Sequence, residues 1–100
     1  MTGTPNQIDL AGQILPQVAA EFERVARALR TVSLRQHGQR LLDTGTVLEI
    51  LEEQREKVMA RTDAGYFIAG WRELAGQVRQ LISSDPRHLA IRTRRAQGQS

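Results

Sequence analysis

The chain has 100 residues, no cysteine and a formal net charge of +3. This length allows a single domain, and the absence of cysteine excludes disulfide bonds and thiolate metal sites. The sequence has no run of 18 apolar residues and no signal peptide, so we expect no membrane contact and a cytoplasmic protein, or one in a virion assembled in the cytoplasm.

The first predicted element is a long helix over residues 5–35. Thr4, Pro5 and Gln7 form its N-terminal signal, because Thr4 can cap the helix, proline suits the first helical position and Gln7 can reach back. Apolar residues then recur at alternating spacings of three and four, the period of a coiled-coil seam. This seam consists of Ile8, Ala11, Leu15, Val18, Phe22, Val25, Leu29 and Val32. Pro16 lies beside the seam and is expected to kink the helix without ending it.

The second helix is predicted over residues 46–61, with Thr46 and Glu49 as a capping box. Gly38 and Gly45 favour helix ends or turns in the connection before it, where two consecutive leucines are expected to pack down. Four glutamates at helical spacing are typical of a solvated helix face. They are Glu49, Glu52, Glu53 and Glu56.

The third helix is predicted over residues 65–84, because Pro86 disfavours a helical conformation at the residue before it. Its apolar residues repeat the spacing of the first seam. They are Phe67, Trp71, Leu74, Val78 and Leu81. Phe67 and Trp71 therefore fit a bundle core, with a binding surface as the alternative. Tyr66 points away from the seam and is the candidate surface contact.

Residues 86–100 form a basic C-terminal tail that follows a single helical domain of residues 1–85. The tail contains four arginines and no acidic residue, and Pro86 can begin a short fourth helix before a frayed end. The candidate residues for binding an anion or a partner are Arg87, Arg92, Arg94 and Arg95. That anion could be the carboxylates of a neighbouring subunit or nucleic acid. Truncation after Ser84 is expected to leave a folded helical protein with weaker partner binding.

Together these elements predict an all-α fold without β-sheet, either an elongated helical hairpin or a three-helix bundle with coiled-coil-like seams. The first helix is too long for either of the others to cover alone, so apolar surface remains for a partner. Candidate interface residues are Leu15, Val18, Phe22, Val25, Leu29, Tyr66, Phe67 and Trp71. We therefore expect a homo-oligomer or a subunit of a larger protein assembly.

Catalytic chemistry has little support in this sequence. His37 and His88 are the only histidines, and neither has the spacing to a glutamate that a carboxylate-bridged metal site needs. The serines have no histidine or lysine in a known catalytic arrangement, and there is no glycine-rich phosphate loop. We predict a protein that is not an enzyme, with no catalytic residue, no metal and no cofactor.

The segment 47–81 combines an L-x-x-L…R pattern, a turn containing Asp and a second helix of the type G-x-x-x-L-x-x-L. The matching residues are Leu48, Leu51, Arg55, Asp63, Gly70 and Leu74, with Val78 out of register. This segment resembles short helical-hairpin accessory virion proteins of tailed bacteriophages, which implies a role in the capsid, portal or tail. The alternative is a small basic DNA- or RNA-binding regulator, which the tail and the acid-free stretch from Arg24 to Arg40 favour.

Overall fold

The computed structural model describes residues 1–98 and confirms the all-α prediction. Five helices follow one another: α1 (Pro5–Ser33), α2 (Gly38–Met59), α3 (Ala64–Gly70), α4 (Leu74–Ser83) and α5 (Pro86–Gly98). The described part of the chain has no β-sheet, and an isolated parallel bridge joins Thr2 to Asp63. The molecule measures 54 × 24 × 19 Å, so it is elongated as predicted. Among residues 1–98, no helix combines the length and the apolar character that crossing a bilayer requires.

The start of α1 is the one predicted from the sequence. The Gln7 backbone N–H donates to the Thr4 hydroxyl at 3.2 Å, and the Thr4 N–H donates to the Gln7 side-chain oxygen at 3.0 Å. These two bonds satisfy donors that the first turn would otherwise leave free. Pro16 lies inside the helix without ending it, and α1 continues to Ser33, close to the predicted end.

α2 begins at Gly38, so the predicted start at Thr46 and its capping box are wrong. Thr46 lies inside the helix, where its hydroxyl donates to the Leu42 carbonyl at 3.2 Å. Gly38 has a φ of +59°, a left-handed conformation that glycine adopts without strain. Gly45 lies inside α2 and does not end it. A single glycine in a helix interior destabilises the helix by only about 1 kcal/mol relative to alanine. The helix ends at Met59, close to the predicted end.

The predicted third helix is interrupted between Gly70 and Leu74, so it forms α3 and α4 instead. Trp71 leaves the helical conformation, with φ −117° and ψ 37°. Glu73 then caps α4, because the Gly76 backbone N–H donates to its Oε2 atom at 2.5 Å. A Cβ atom at Gly76 would lie 2.1 Å from that oxygen, so any larger residue would displace the capping carboxylate.

α1 is the spine of the core, because it packs against α2, α3 and α4. The middle of its seam is buried, whereas the terminal seam residues Ile8 and Val32 are exposed. The rings of Phe22 and Trp71 lie 5.7 Å apart between centroids and join α1 to the break between α3 and α4. The other helices contribute Ile50, Leu51, Val58, Ala64, Phe67, Val78 and Ile82 to the same cluster. The interpretation of Phe67 and Trp71 as core residues agrees with this burial.

Replacing Trp71 with alanine should destabilise the protein by about 3–5 kcal/mol, the usual cost of removing a large buried aromatic side chain. Trp71 is only 3% exposed and contacts Phe22, so its loss leaves a cavity at the centre of the core. Tyr66→Ala is the matched control, because Tyr66 is half-buried and should cost much less. Urea unfolding of both variants measures the difference, and equal costs would contradict this description of the core.

Candidate functional site

The predicted tail is a helix through the end of the described chain. The expectation of a frayed end from Arg92 onward is wrong for the described residues, since α5 extends to Gly98; residues 99 and 100 lie outside them. α5 packs against α2 and α4, and Ile91 is its buried residue. Ion pairs at both ends of α5 accompany this single apolar contact.

Arg87 anchors the start of α5. Its guanidinium donates to Asp85 through Nε and Nη2, both at 3.0 Å, and to Glu53 on α2 through Nη1 at 2.6 Å. Its backbone N–H also donates to Asp85, at 2.8 Å. The hydrogen bonds from the Arg87 side chain are the largest cause of the lowered pKa of Asp85, which is about 2. The hydrogen bond from the Arg87 backbone N–H lowers this pKa further.

Asp43 anchors the other end of α5. Its side chain is only 5% exposed, and it accepts from Gln39 at 3.0 Å and from Arg94, while the Arg95 guanidinium lies 3.4 Å away. These contacts lower the pKa of Asp43, with the Gln39 hydrogen bond as the largest cause and the Arg94 bond next. The sequence pattern does not indicate this cluster, because Asp43 and Arg94 are 51 positions apart in the chain.

A polar cleft of about 520 Å³ lies between the first turns of α2 and the last turns of α5. It is lined by three arginines, Arg40, Arg94 and Arg95, and by the buried carboxylate of Asp43. Gln36 also lines the cleft, and its side-chain oxygen accepts from the Thr44 hydroxyl at 2.5 Å. Arg40 has no carboxylate partner among residues 1–98. The cleft therefore carries an excess of positive charge.

Residues 30–42 comprise the end of α1, the turn after it and the start of α2, and they carry a group of exposed apolar side chains; we refer to these residues as the hairpin tip. The side chains are Val32, Leu34, Leu41 and Leu42, with Leu34 85% exposed and Leu42 65% exposed. The expectation that the two consecutive leucines pack down is therefore wrong, since both lie in the exposed first turns of α2. Basic residues are interspersed at Arg30, Arg35 and Arg40.

An acidic depression of about 430 Å³ lies further along α2; we refer to it as the acidic groove. It is lined by Leu48, Glu49, Glu52 and Glu53. Glu49 has no ion-pair partner among the described residues, whereas Glu52 lies 3.5 Å from Arg55 and Glu53 pairs with Arg87. Residues 1–98 contain no group of three or more side chains of the kind that holds a metal ion.

The predicted interface residues lie largely inside this chain. Val18, Phe22, Phe67 and Trp71 are buried in the core, and Leu15, Val25 and Leu29 are partly buried against it. Tyr66 packs edge-on against Phe67 at 5.1 Å between centroids, and the Arg61 guanidinium lies 4.0 Å from the Tyr66 ring centroid. The two most exposed of the large apolar side chains, Leu34 and Leu42, lie instead at the hairpin tip, which the seam pattern did not indicate.

The predicted anion-binding arginines are mostly occupied within the chain. Arg87, Arg94 and Arg95 contact carboxylates of this same protein, and Arg92 donates to the Ser83 carbonyl at 3.1 Å. The carboxylate of Glu53, which Arg87 contacts, lies on α2 of the same chain. Arg94 and Arg95 remain half-exposed, so their guanidinium groups still face the cleft.

Comparison with known proteins shows a similarity to a human protein. No protein-family model matches the sequence, and no solved structure matches it. A human GH3 domain-containing protein is 33% identical over 94 residues, which cover 88% of this chain. The chain spans only 18% of the length of that relative.

The contacts of Asp85 predict a pH dependence of stability. Its folded pKa of about 2 is below the ordinary value of 3.8, so its ionised form stabilises the fold. This contribution is fully present above about pH 5 and is lost as the pH falls towards about 2. Asp85→Asn should therefore lower the melting temperature at neutral pH. In acid, the variant and the unaltered chain should have the same melting temperature.

Thermal melts between neutral pH and strong acid, followed by circular dichroism, measure this difference. Asp9→Asn is the control, because Asp9 is exposed and has no described ion pair. A pH-independent difference for Asp85→Asn would contradict the role of its ionised form.

Truncation after Ser84 is expected to leave a folded helical protein. The truncation removes α5 and with it one buried apolar side chain, Ile91, whose burial stabilises the protein by about 1.5–3 kcal/mol. The shortened chain should therefore retain its helical circular dichroism and melt cooperatively at a lower temperature. A shortened chain without a cooperative transition would place α5 in the core, and the predicted domain end at residue 85 would be wrong.

Proposed function

We propose that this chain is a non-enzymatic assembly protein that acts through helix–helix contacts between copies of itself. In this proposal the hairpin tip of one copy docks onto the acidic groove on α2 of the next copy. The observation that carries the proposal is the group of four exposed apolar side chains within residues 32–42. A contiguous exposed apolar surface with a polar rim is typical of a protein interaction site.

Charge complementarity supports a second copy as the occupant of the hairpin tip. The tip lies in a stretch without acidic residues, from Arg24 to Leu42, and three arginines surround its leucines. The acidic groove offers the opposite combination, with Leu48 among three glutamates. Apolar residues would meet apolar residues, and arginines would meet carboxylates, which favours association and fixes its orientation.

In this proposal each copy docks head to tail on the next, which makes the contact heterologous rather than reciprocal. A heterologous contact leaves one free tip and one free groove after each addition, so it builds a ring or an open chain of copies. Such repetition suits a component of a larger particle. The resemblance of residues 47–81 to accessory virion proteins supports a capsid, portal or tail as the setting, and this part of the proposal rests on that resemblance.

DNA or RNA is the competing partner, since the chain is basic and rich in arginine. Several arginines are already paired with carboxylates of the chain, which reduces the charge available to phosphates. Fluorescence anisotropy with a labelled duplex tests this alternative. Tight, strongly salt-dependent binding by the monomer would favour a nucleic-acid-binding regulator over self-assembly.

Exchanging charges between the two surfaces should break and then restore association. Arg35→Glu and Glu49→Arg each place like charges at the proposed contact, and neither side chain has a described ion pair within the chain. Each variant alone should sediment at a lower average mass than the unaltered chain. An equimolar mixture should recover association, because each tip then meets a groove of opposite charge.

The apolar part of the contact is tested by serine substitutions. Leu34→Ser with Leu42→Ser should reduce association while leaving helical content unchanged, because both leucines are exposed. Leu10→Ser is the matched control, since Leu10 is an exposed leucine outside the tip. Unchanged association in the double variant, or no recovery in the charge-exchanged mixture, would contradict the proposed contact.

A further inference from the structure

The cleft between α2 and α5 combines three guanidinium groups with a single carboxylate. Arg40, Arg94 and Arg95 contribute three positive charges and Asp43 contributes one negative charge, which leaves an excess of two. A cleft of about 520 Å³ is large enough for a small molecule or a side chain. Arg40 also belongs to the hairpin tip, whereas Asp43, Arg94 and Arg95 lie outside both surfaces of the proposed docking.

Asp43 is placed to orient the arginines. Its carboxylate is buried and accepts from Arg94, and it lies 3.4 Å from a terminal nitrogen of Arg95. Each guanidinium has five N–H donors in a fixed plane, so a single bond to Asp43 orients the group and leaves further donors free. The two side chains are 48% and 52% exposed, which keeps those donors accessible from the cleft.

We propose that this cleft binds a doubly charged tetrahedral oxyanion, such as a phosphate group, with Arg40, Arg94 and Arg95 as the binding residues. Guanidinium groups match the oxygens of such an anion with paired, charge-assisted hydrogen bonds. A dianion also balances the excess of two positive charges. Asp43 is the positioning residue, since it holds two of the guanidinium groups and does not itself contact the anion.

The positioning role gives a prediction that simple charge attraction does not. Asp43→Asn removes a negative charge from the cleft, so electrostatic attraction alone would tighten anion binding. Loss of the carboxylate also frees Arg94 and Arg95, so positioning predicts weaker binding. Asparagine keeps an oxygen that can accept from Gln39, so the start of α2 retains that contact.

Binding is measured by isothermal titration of the full chain with sodium phosphate, against sodium chloride at matched ionic strength. We expect saturable binding of phosphate that is weakened about tenfold in Arg40→Ala, because charge-assisted hydrogen bonds to the anion are lost. Arg72→Ala is the control of equal charge, since Arg72 is exposed, lies outside the cleft and should leave binding unchanged. Asp43→Asn should also bind phosphate more weakly.

A second titration with phosphoserine identifies the source of the group. Equal affinity for phosphate and phosphoserine supports a free oxyanion as ligand, and higher affinity for phosphoserine supports a phosphate carried on a larger molecule. The proposal is overturned if phosphate behaves like chloride, if Arg40→Ala and Arg72→Ala bind alike, or if Asp43→Asn binds more tightly. The charge-exchange test of association alters Arg35 and Glu49 and leaves every cleft residue in place, so a failure of phosphate binding and a failure of self-association can be distinguished.

Discussion

The structure depends on the packing of one long helix whose middle alone is covered. α1 has 29 residues, which corresponds to about 44 Å of helix. Phe22 at its centre packs against Trp71, and this contact brings the α3–α4 break against the same helix that α2 covers. The ends of the α1 seam remain in solvent. None of the other helices within residues 1–98 covers them, so apolar surface is left there, including at the hairpin tip.

Local signals predicted a large part of this fold. The Thr4–Gln7 capping box and the three-and-four spacing of α1 specified a helix whose start and period the structure confirms, because both depend only on neighbours in sequence. The same period placed Phe67 and Trp71 in the core. Competition between local signals was harder to predict. Gly45 favours a helix end by its residue type, yet α2 continues through it. The seam pattern predicts one helix over residues 65–84, whereas the cap at Glu73 starts a separate helix, α4.

Much less of the candidate site could be predicted from the sequence. The cleft requires Asp43 and Arg94, which are far apart in the chain, and only the docking of α5 brings them together. A basic tail indicated an anion as partner but not that the chain supplies several of the carboxylates itself. The exposed leucines of the tip were also missed, because a pair of leucines beside a turn is as compatible with burial as with exposure. Both leucines lie in the first turns of α2 and are exposed, whereas the next residues, Asp43 and Thr44, are buried.

The core of the chain is buried, whereas the apolar side chains of the hairpin tip remain exposed to solvent. Self-association would bury that remaining surface against the acidic groove of another copy. The mass of the chain in solution, measured by light scattering over a range of protein and salt concentrations, tests this most directly. The account predicts a mass that rises above the 11.2 kDa of one chain with increasing concentration at low salt, and that falls as added salt screens the charges. A mass of one chain under all of these conditions would contradict it.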